Sequence, residues 1–378
     1  MKRARLSLAV AGIAVSTAMT AALWPHARDA WAVLAAQDDP AELSTLQINS
    51  ALRNNPRLVH DNIEAALAAG DADLAGSFAE LARDNNVALG EELSKRVSDA
   101  VAEDNSTAQM AKRFATGLVT GTADDIASLS GTVAGDLFVW GDIRDAVREG
   151  KHLAMGEETD HLILGLATVG LAVTAATYVS VGGAVPLRAG LSLVKDTRKV
   201  GRLSEGLVQF AGRSAREVVD APVLQKAVAS GSVLRPGETI GAMKAAFRAE
   251  KAGALVRLAK DVGRIGEKAG IKAAQDTLKI AENPKEVARA ARLAEKKGGQ
   301  SRAILKTLGR GALLLATGAF NLTLWLFGLA LTLFGFLSSI KATTERLTYG
   351  WLRRKKARKA RRLAAEQQAA LAAVPAAG

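Results

Sequence analysis

Residues 311–340 run for 30 positions without a charge, and no other feature constrains the chain as tightly. Leu313, Leu314, Leu315, Phe320, Trp325, Phe327, Phe334 and Phe336 lie within this run. As a helix rising about 1.5 Å per residue it would be roughly 45 Å long, more than the ~30 Å hydrocarbon core of a bilayer, so a spanning helix here tilts or ends in the interface. A buried core helix of this composition would need a large apolar core around it. The chain is 49% hydrophobic but only 4% aromatic, alanine carries much of the apolar share, and mean hydropathy is +0.10. A transmembrane helix over 311–340 is therefore expected.

Tyr349 and Trp351 follow, and then a dense group of cations: Arg353, Arg354, Lys355, Lys356, Arg358, Lys359, Arg361 and Arg362. A polybasic stretch just beyond a span suits the cytoplasmic face and contact with anionic lipid headgroups. These eight residues are the candidate lipid-contact site. The tail has no interleaved aromatics and no nucleic-acid reader pattern, so nucleic acid is not the expected partner.

Two further apolar segments complete the membrane reading. Residues 6–24 follow Lys2, Arg3 and Arg5 and are 19 residues long, close to the roughly 20 that cross a bilayer, so 1–24 reads as a signal anchor. The alternative is a cleaved signal peptide with a site near Ala30-Trp31-Ala32. Residues 162–187 are uncharged but interrupted by Gly165, Gly170, Gly182, Gly183 and Pro186. They suit a spanning segment, a re-entrant one, or a core helix that ends at the glycine pair.

Charge is distributed unevenly along the chain. Residues 25–160 carry 11 Lys/Arg against 24 Asp/Glu, whereas 161–340 carry 26 against 12 and 341–378 carry 10 against 2. An acidic front and a basic back point to a membrane or nucleic-acid partner, and the apolar segments favour the membrane.

Between the apolar segments the pattern is helical, with no convincing period-two stretch. Asp39-Pro40-Ala41-Glu42 is a helix start, and Asn55-Pro56 opens a helix with Leu58, Ile63 and Leu67 on one face. Gly70 ends it, and Asp71 begins a partner containing Leu74, Phe78 and Leu81, which makes an αα-hairpin within an acidic region over 25–113. A further helix is expected over 88–104. Residues 114–160 are rich in Gly and Asp and are expected as helices near the bilayer surface, packed on 162–187. Asp124, Asp125, Asp136, Asp142 and Asp145 argue against a span there, although Gly117–Gly121 and Gly131–Gly135 have the spacing of close helix contacts. The basic region 188–310 contains an amphipathic pattern over 239–282, a restart at Asn283-Pro284, a stop at Gly298-Gly299 and a cap at Ser301. The fold class expected is all-α and membrane-anchored, with 311–340 spanning and 341–378 as tail.

The search for chemistry assigns no catalytic, cofactor or metal residue. Cys is 0, which excludes thiolate zinc sites, cysteine nucleophiles and redox switching. No phosphate-binding loop, G-x-S-x-G elbow or HExxH is present. His152 and His161 with Glu157, Glu158 and Asp160 between them lack a ligand periodicity and read as solvated groups. The S-x-x-K matches Ser192–Lys195 and Ser338–Lys341 are short enough to arise by chance.

Three stretches carry a resemblance: Ala35-Ala36-Gln37-Asp38-Asp39-Pro40, then Ala134-Gly135-Asp136-Leu137-Phe138-Val139-Trp140-Gly141-Asp142-Ile143-Arg144-Asp145, then Ala294-Glu295-Lys296-Lys297-Gly298-Gly299. With them the chain resembles uncharacterised inner-membrane proteins of alphaproteobacteria, which implies a location and no activity. Gly141-Asp142-Ile143-Arg144-Asp145 and Gly156-Glu157, with the apolar run after them, also resemble the segment preceding toxin modules in bacterial polymorphic toxins. No toxin module follows.

The expected function is a non-catalytic helical scaffold or interaction protein of the bacterial envelope. Its expected partners are the bilayer with its anionic headgroups and a protein of unspecified identity. Its body is expected in the periplasm. The alternative is a membrane-active or transport-associated protein whose residues 114–194 insert as a glycine-rich helical bundle.

Overall fold

The computed structural model describes residues 2–106, 131–177, 185–220, 222–223, 245–314 and 319–372. Among these every regular element is a helix, and a lone antiparallel bridge joins Val219 to Phe247. The all-α expectation holds. The chain divides into two units, one made of residues 1–35 and 316–378 and the other of residues 36–315. Gly117–Gly121, Asp124, Asp125, the glycine pair 182–183 and residues 239–244 of the amphipathic pattern lie outside the described residues.

The body begins with α2 (Pro40–Asn54), α3 (Leu58–Ala68), α4 (Ala72–Asp84) and α5 (Glu91–Asp104). Local chemistry fixes their ends. Asp39 accepts a hydrogen bond from the Ala41 amide at 3.1 Å, with Pro40 opening the helix, and Asp71 accepts one from the Leu74 amide at 3.3 Å. Gly70 takes φ +69°, the left-handed turn that lets α4 fold back on α3. The αα-hairpin expected from the sequence is present, and α5 packs on its second arm.

Next come α6 (Gly131–Met155), α7 (His161–Thr177), α8 (Val185–Lys199) and α9 (Glu205–Val218). Residues 162–177 of the apolar segment form α7 after its first residue, and residues 162–171 of it are core. Leu162, Ile163, Leu164, Leu166, Ala167, Val169 and Leu171 are all buried, covered by α6, α8 and α9. Of the three alternatives, the described part of the segment fits a core helix, since protein side chains cover its faces over 162–171. The expected packing of 131–155 on this segment is observed, with Ile143 and Ala146 against Leu164, Ala167 and Leu171.

The body closes with α10 (Gly253–Ala269), α11 (Ile271–Ile280), α12 (Pro284–Lys297) and α13 (Ser301–Leu308). The amphipathic pattern is broken at Gly270, whose φ of +92° turns the chain between α10 and α11. Asn283 caps α12, its Oδ1 accepting from the Glu286 amide, while the Glu286 carboxylate accepts from the Asn283 side-chain Nδ2 and from the Glu282 backbone amide. Ser301 does not cap α13; its hydroxyl is buried without a hydrogen-bond partner. Nor does α13 lead straight into a membrane span: Ala303, Ile304, Leu305, Ala312 and Leu313 belong to the body's core. The long apolar helix starts only at Ala319.

The centre of the body is the crossing of α8 with α10. A Cβ on Gly190 would collide with the Ala259 backbone, and one on Gly263 with the Pro186 backbone. With no side chain at either position the two helices meet backbone to backbone, which brings Leu191, Val194, Leu258 and Val262 into one apolar layer. Gly190→Ala is expected to push the helices apart and cost about 1–3 kcal/mol, as overpacked cores do. A lowered thermal midpoint by circular dichroism checks this, and Gly212→Ala, where the added Cβ meets open space, serves as the tolerated comparison.

Candidate functional site

The second unit is a helical hairpin. α1 (Lys2–Ala35) runs antiparallel to α14 (Ala319–Ala372). Gly328 faces Leu23 and Gly335 faces Ser16, so an advance of seven residues on one helix matches a retreat of seven on the other. His26 stacks on Trp325 in the same register, with ring centroids 4.5 Å apart. A Cβ at either glycine would meet its neighbour at ordinary van der Waals distance, so the two positions mark the register rather than a forced close approach.

This register aligns the two apolar segments. The stretch free of Lys, Arg, Asp and Glu on both helices pairs residues 11–27 with 340–324, about 25 Å at the helical rise. Arg28 and Lys341 bound it and are long enough to snorkel to the edges of a ~30 Å core. Away from α1 the long helix exposes Phe327, Leu331, Phe334 and Leu337, spaced three to four residues apart. Within its described part, Trp325–Glu366, the most apolar 18-residue window has mean hydropathy 1.5 and no buried residue. This is the one helix among the described residues long and apolar enough to cross a bilayer.

All eight predicted lipid-contact residues, Arg353, Arg354, Lys355, Lys356, Arg358, Lys359, Arg361 and Arg362, lie on the continuation of this helix, and all are exposed. Eight cations in ten residues at 100° per residue occupy every side of the helix. Lys355 sits over the Trp351 ring, 5.0 Å from its centroid. Along a straight helix Arg353 stands about 18 Å past Lys341, roughly two Debye lengths at physiological salt. The backbone levels nearest the apolar band are those of Lys341, Arg346 and, by the antiparallel register, residues 2–5 opposite 349–346.

The body holds two charge clusters, each around a buried cation, that sequence reasoning missed. In the first, Arg302 lies between Asp71, Asp73 and Asp276. Its two terminal nitrogens bond both Asp71 oxygens at 2.7 Å, one of them also reaches Asp73 at 2.9 Å, and its Nε reaches Asp276 at 2.9 Å. Lys272 adds a contact to Asp71 at 3.2 Å. Burial works to raise the Asp71 carboxyl, but Arg302 and Lys272 outweigh it and hold the group at about 2. Beside the cluster, Ser77 donates to the Gly299 carbonyl at 2.6 Å and accepts from the Ala303 amide at 2.8 Å.

In the second cluster Lys195 of α8 bonds Asp142 of α6 and lies 3.6 Å from Asp145, which Lys199 also bonds at 2.7 Å. Burial works against the charge on Lys195, yet the two carboxylates prevail and hold it protonated, with its pKa raised. Asp142 is shifted upward by burial, with Lys195 opposing. This arrangement bears directly on the Ser192–Lys195 motif. A Ser–Lys hydrolase needs a neutral lysine as base, and the two carboxylates beside Lys195 favour its ammonium form. Ser338 and Lys341 of the other motif are exposed on α14.

His152 lies 3.7 Å from Glu149 and 3.8 Å from Glu157, while Asp160 turns to Arg198 at 2.9 Å. No group of three or more His, Asp or Glu suited to a metal occurs among the described residues.

No protein-family model matches the chain, and neither the curated proteins nor the solved structures contain a significant match.

Arg302→Met leaves three partly exposed carboxylates without their cation and is expected to cost about 1.5–3 kcal/mol, less than a fully buried pair because water reaches the carboxylates. Acid should weaken the same contact. Asp71 titrates at about 2 when folded against an ordinary 3.8, so its contribution is complete above the ordinary value and disappears as pH falls from there toward 2. That contribution is on the order of 2 kcal/mol. Denaturant midpoints of the wild type at pH 7 and pH 3 check it, and Asp71→Asn should flatten the difference.

Proposed function

We propose that the protein is a membrane-anchored helical scaffold of the bacterial envelope. In this reading the α1–α14 hairpin spans the inner membrane twice, and the body is a non-catalytic interaction domain. The observation that carries it is the partition of charge between the units. Residues 36–315 hold 36 Lys/Arg and 35 Asp/Glu, a net of +1, while the hairpin unit holds 14 and 3, a net of +11. Nearly all of the chain's net +12 thus belongs to the two long helices.

Within the hairpin the cations gather at one end. The chain termini share that end, and the cation bias of such flanking segments favours the cytoplasm. Because the helices are antiparallel, Ala35 and Ala319 share the opposite end, and the body is the insert between them, assigned to the periplasm. The eight cations of 353–362 then act first as a determinant of orientation. They add headgroup attraction, about 1 kcal/mol per cation near the surface, to the extent that the helix leans toward anionic lipid. The burial of α7 within the body gives the rival idea of a membrane-inserting bundle over 114–194 less support. The likeness to inner-membrane proteins agrees with the location and adds no activity.

Labelling of single cysteines tests the topology, since the chain has none of its own. Ser94→Cys on α5, Ala249→Cys before α10 and Ala365→Cys on α14 each introduce one exposed thiol. An impermeant maleimide on intact spheroplasts should label the first two equally and spare the third. Labelling of Ser94→Cys with protection of Ala249→Cys would place a crossing inside the body and overturn the two-span reading.

A further inference from the structure

One cleft in the body gathers cations that the fold itself does not use. It has a volume of about 380 Å³ and lies where the start of α7 meets the end of α8 and the middle of α9. Arg198, Arg213, Arg216, His161, Thr159 and Gln209 supply its polar lining. Asp160 is the acidic group there, and both its oxygens are committed. One accepts from the Leu162 and Ile163 amides at 3.0 and 3.1 Å, capping α7, and the other holds Arg198 at 2.9 Å. Arg213 and Arg216, three residues apart on α9, share the cleft wall with no acidic partner among the described residues. Elsewhere in the body Arg302, Arg310, Lys195, Lys199 and Lys296 are each paired with a carboxylate. Arg213 and Arg216 instead stand exposed and unpaired side by side on one wall of a concavity.

We infer that this cleft binds a phosphate monoester, with Arg213 and Arg216 as its forks and His161 and Thr159 as further polar partners. A planar guanidinium offers paired N–H donors that match phosphate oxygens, and two of them compensate the two charges of a monoester. The volume lies near the lower limit of ordinary small-ligand sites, enough for the phosphate and a compact group attached to it. Leu162 and Val208 give that group an apolar wall. Gly212 on the same wall has open space where a Cβ would stand, so the cleft can be filled without disturbing either arginine. The phosphate can belong to a soluble metabolite or to a lipid headgroup; the site chemistry is the same. The inference does not depend on the membrane reading of the hairpin.

The test uses the full chain in phosphatidylcholine nanodiscs, titrated with inorganic phosphate by calorimetry. A second arm compares flotation with vesicles containing phosphatidic acid and with phosphatidylcholine vesicles. Arg213→Gln/Arg216→Gln removes the charge, Gly212→Leu fills the space, and Arg257→Gln removes a remote exposed cation. Saturable phosphate binding, weakened at least tenfold by both cleft variants and unchanged by Arg257→Gln, is the expected result and indicates a soluble ligand. Absence of phosphate binding together with loss of phosphatidic-acid flotation in the same two variants indicates a lipid headgroup. If neither arm responds to the cleft variants, the inference fails. Helical circular dichroism distinguishes a lost site from a lost fold.

Discussion

The body depends on one guanidinium. Arg302 sits near the carboxyl end of the body yet is bonded to Asp71 and Asp73 at the start of α4, more than two hundred residues earlier, and to Asp276 of α11. Asp71 is at once the cap of α4 and the chief partner of Arg302. The same carboxylate therefore fixes a helix end and draws the two ends of the body together. An ion pair of this kind is weak evidence for net stability, because desolvation offsets much of the attraction. Its weight lies in specificity: with the partner removed, buried charge is left over, so alternative packings of α4 against α13 are penalised. Ser77, bonded to both Gly299 and Ala303, fixes the same contact without charge.

This pairing explains the uneven charge along the chain. The acidic front and the basic back look, in sequence, like surfaces waiting for external partners. In the structure they serve each other, through Asp71 with Arg302, Asp39 with Lys296, Asp142 and Asp145 with Lys195 and Lys199, and Asp160 with Arg198. What remains of the net charge belongs almost wholly to the hairpin unit, and the membrane reading follows from that remainder.

Much of the local structure was legible in the residues. Asp39-Pro40, Asp71 and Asn283-Pro284 start helices through short-range hydrogen bonds, and Gly70 stops one through backbone conformation, so each signal sits within a few residues of its effect, whereas the stop at Gly270 was hidden inside the amphipathic pattern over 239–282. The segment 162–187 was harder, because an uncharged run looks the same whether lipid or protein surrounds it. Its surroundings are set by α6, α8 and α9, whose contacts are long-range. The alanine-rich composition also misled: it suggested a chain short of core, whereas Ala75, Ala167, Ala211, Ala259, Ala274 and Ala291 are buried throughout the body. Small side chains and the facing glycines 190 and 263 build a core through close helix approach rather than bulk. The cleft arginines carry no sequence signal, since only the fold sets Arg213 and Arg216 of α9 beside His161 and Thr159.

The central claim is that the acidic front and basic back form one body, and a single cross-link tests it most directly. Ser77 and Ala303 touch through the Ala303 amide and the Ser77 hydroxyl at 2.8 Å, and the chain contains no competing thiol. Cysteines at both positions, Ser77→Cys and Ala303→Cys, should form an intramolecular disulfide on mild oxidation in native membranes. The closed loop would show as a faster-migrating band in non-reducing electrophoresis. Each single variant should remain reduced, and Arg302→Met in the double variant should slow the reaction. Failure of the pair to cross-link, with both thiols still reactive toward maleimide after denaturation, would mean that the two halves do not meet as described.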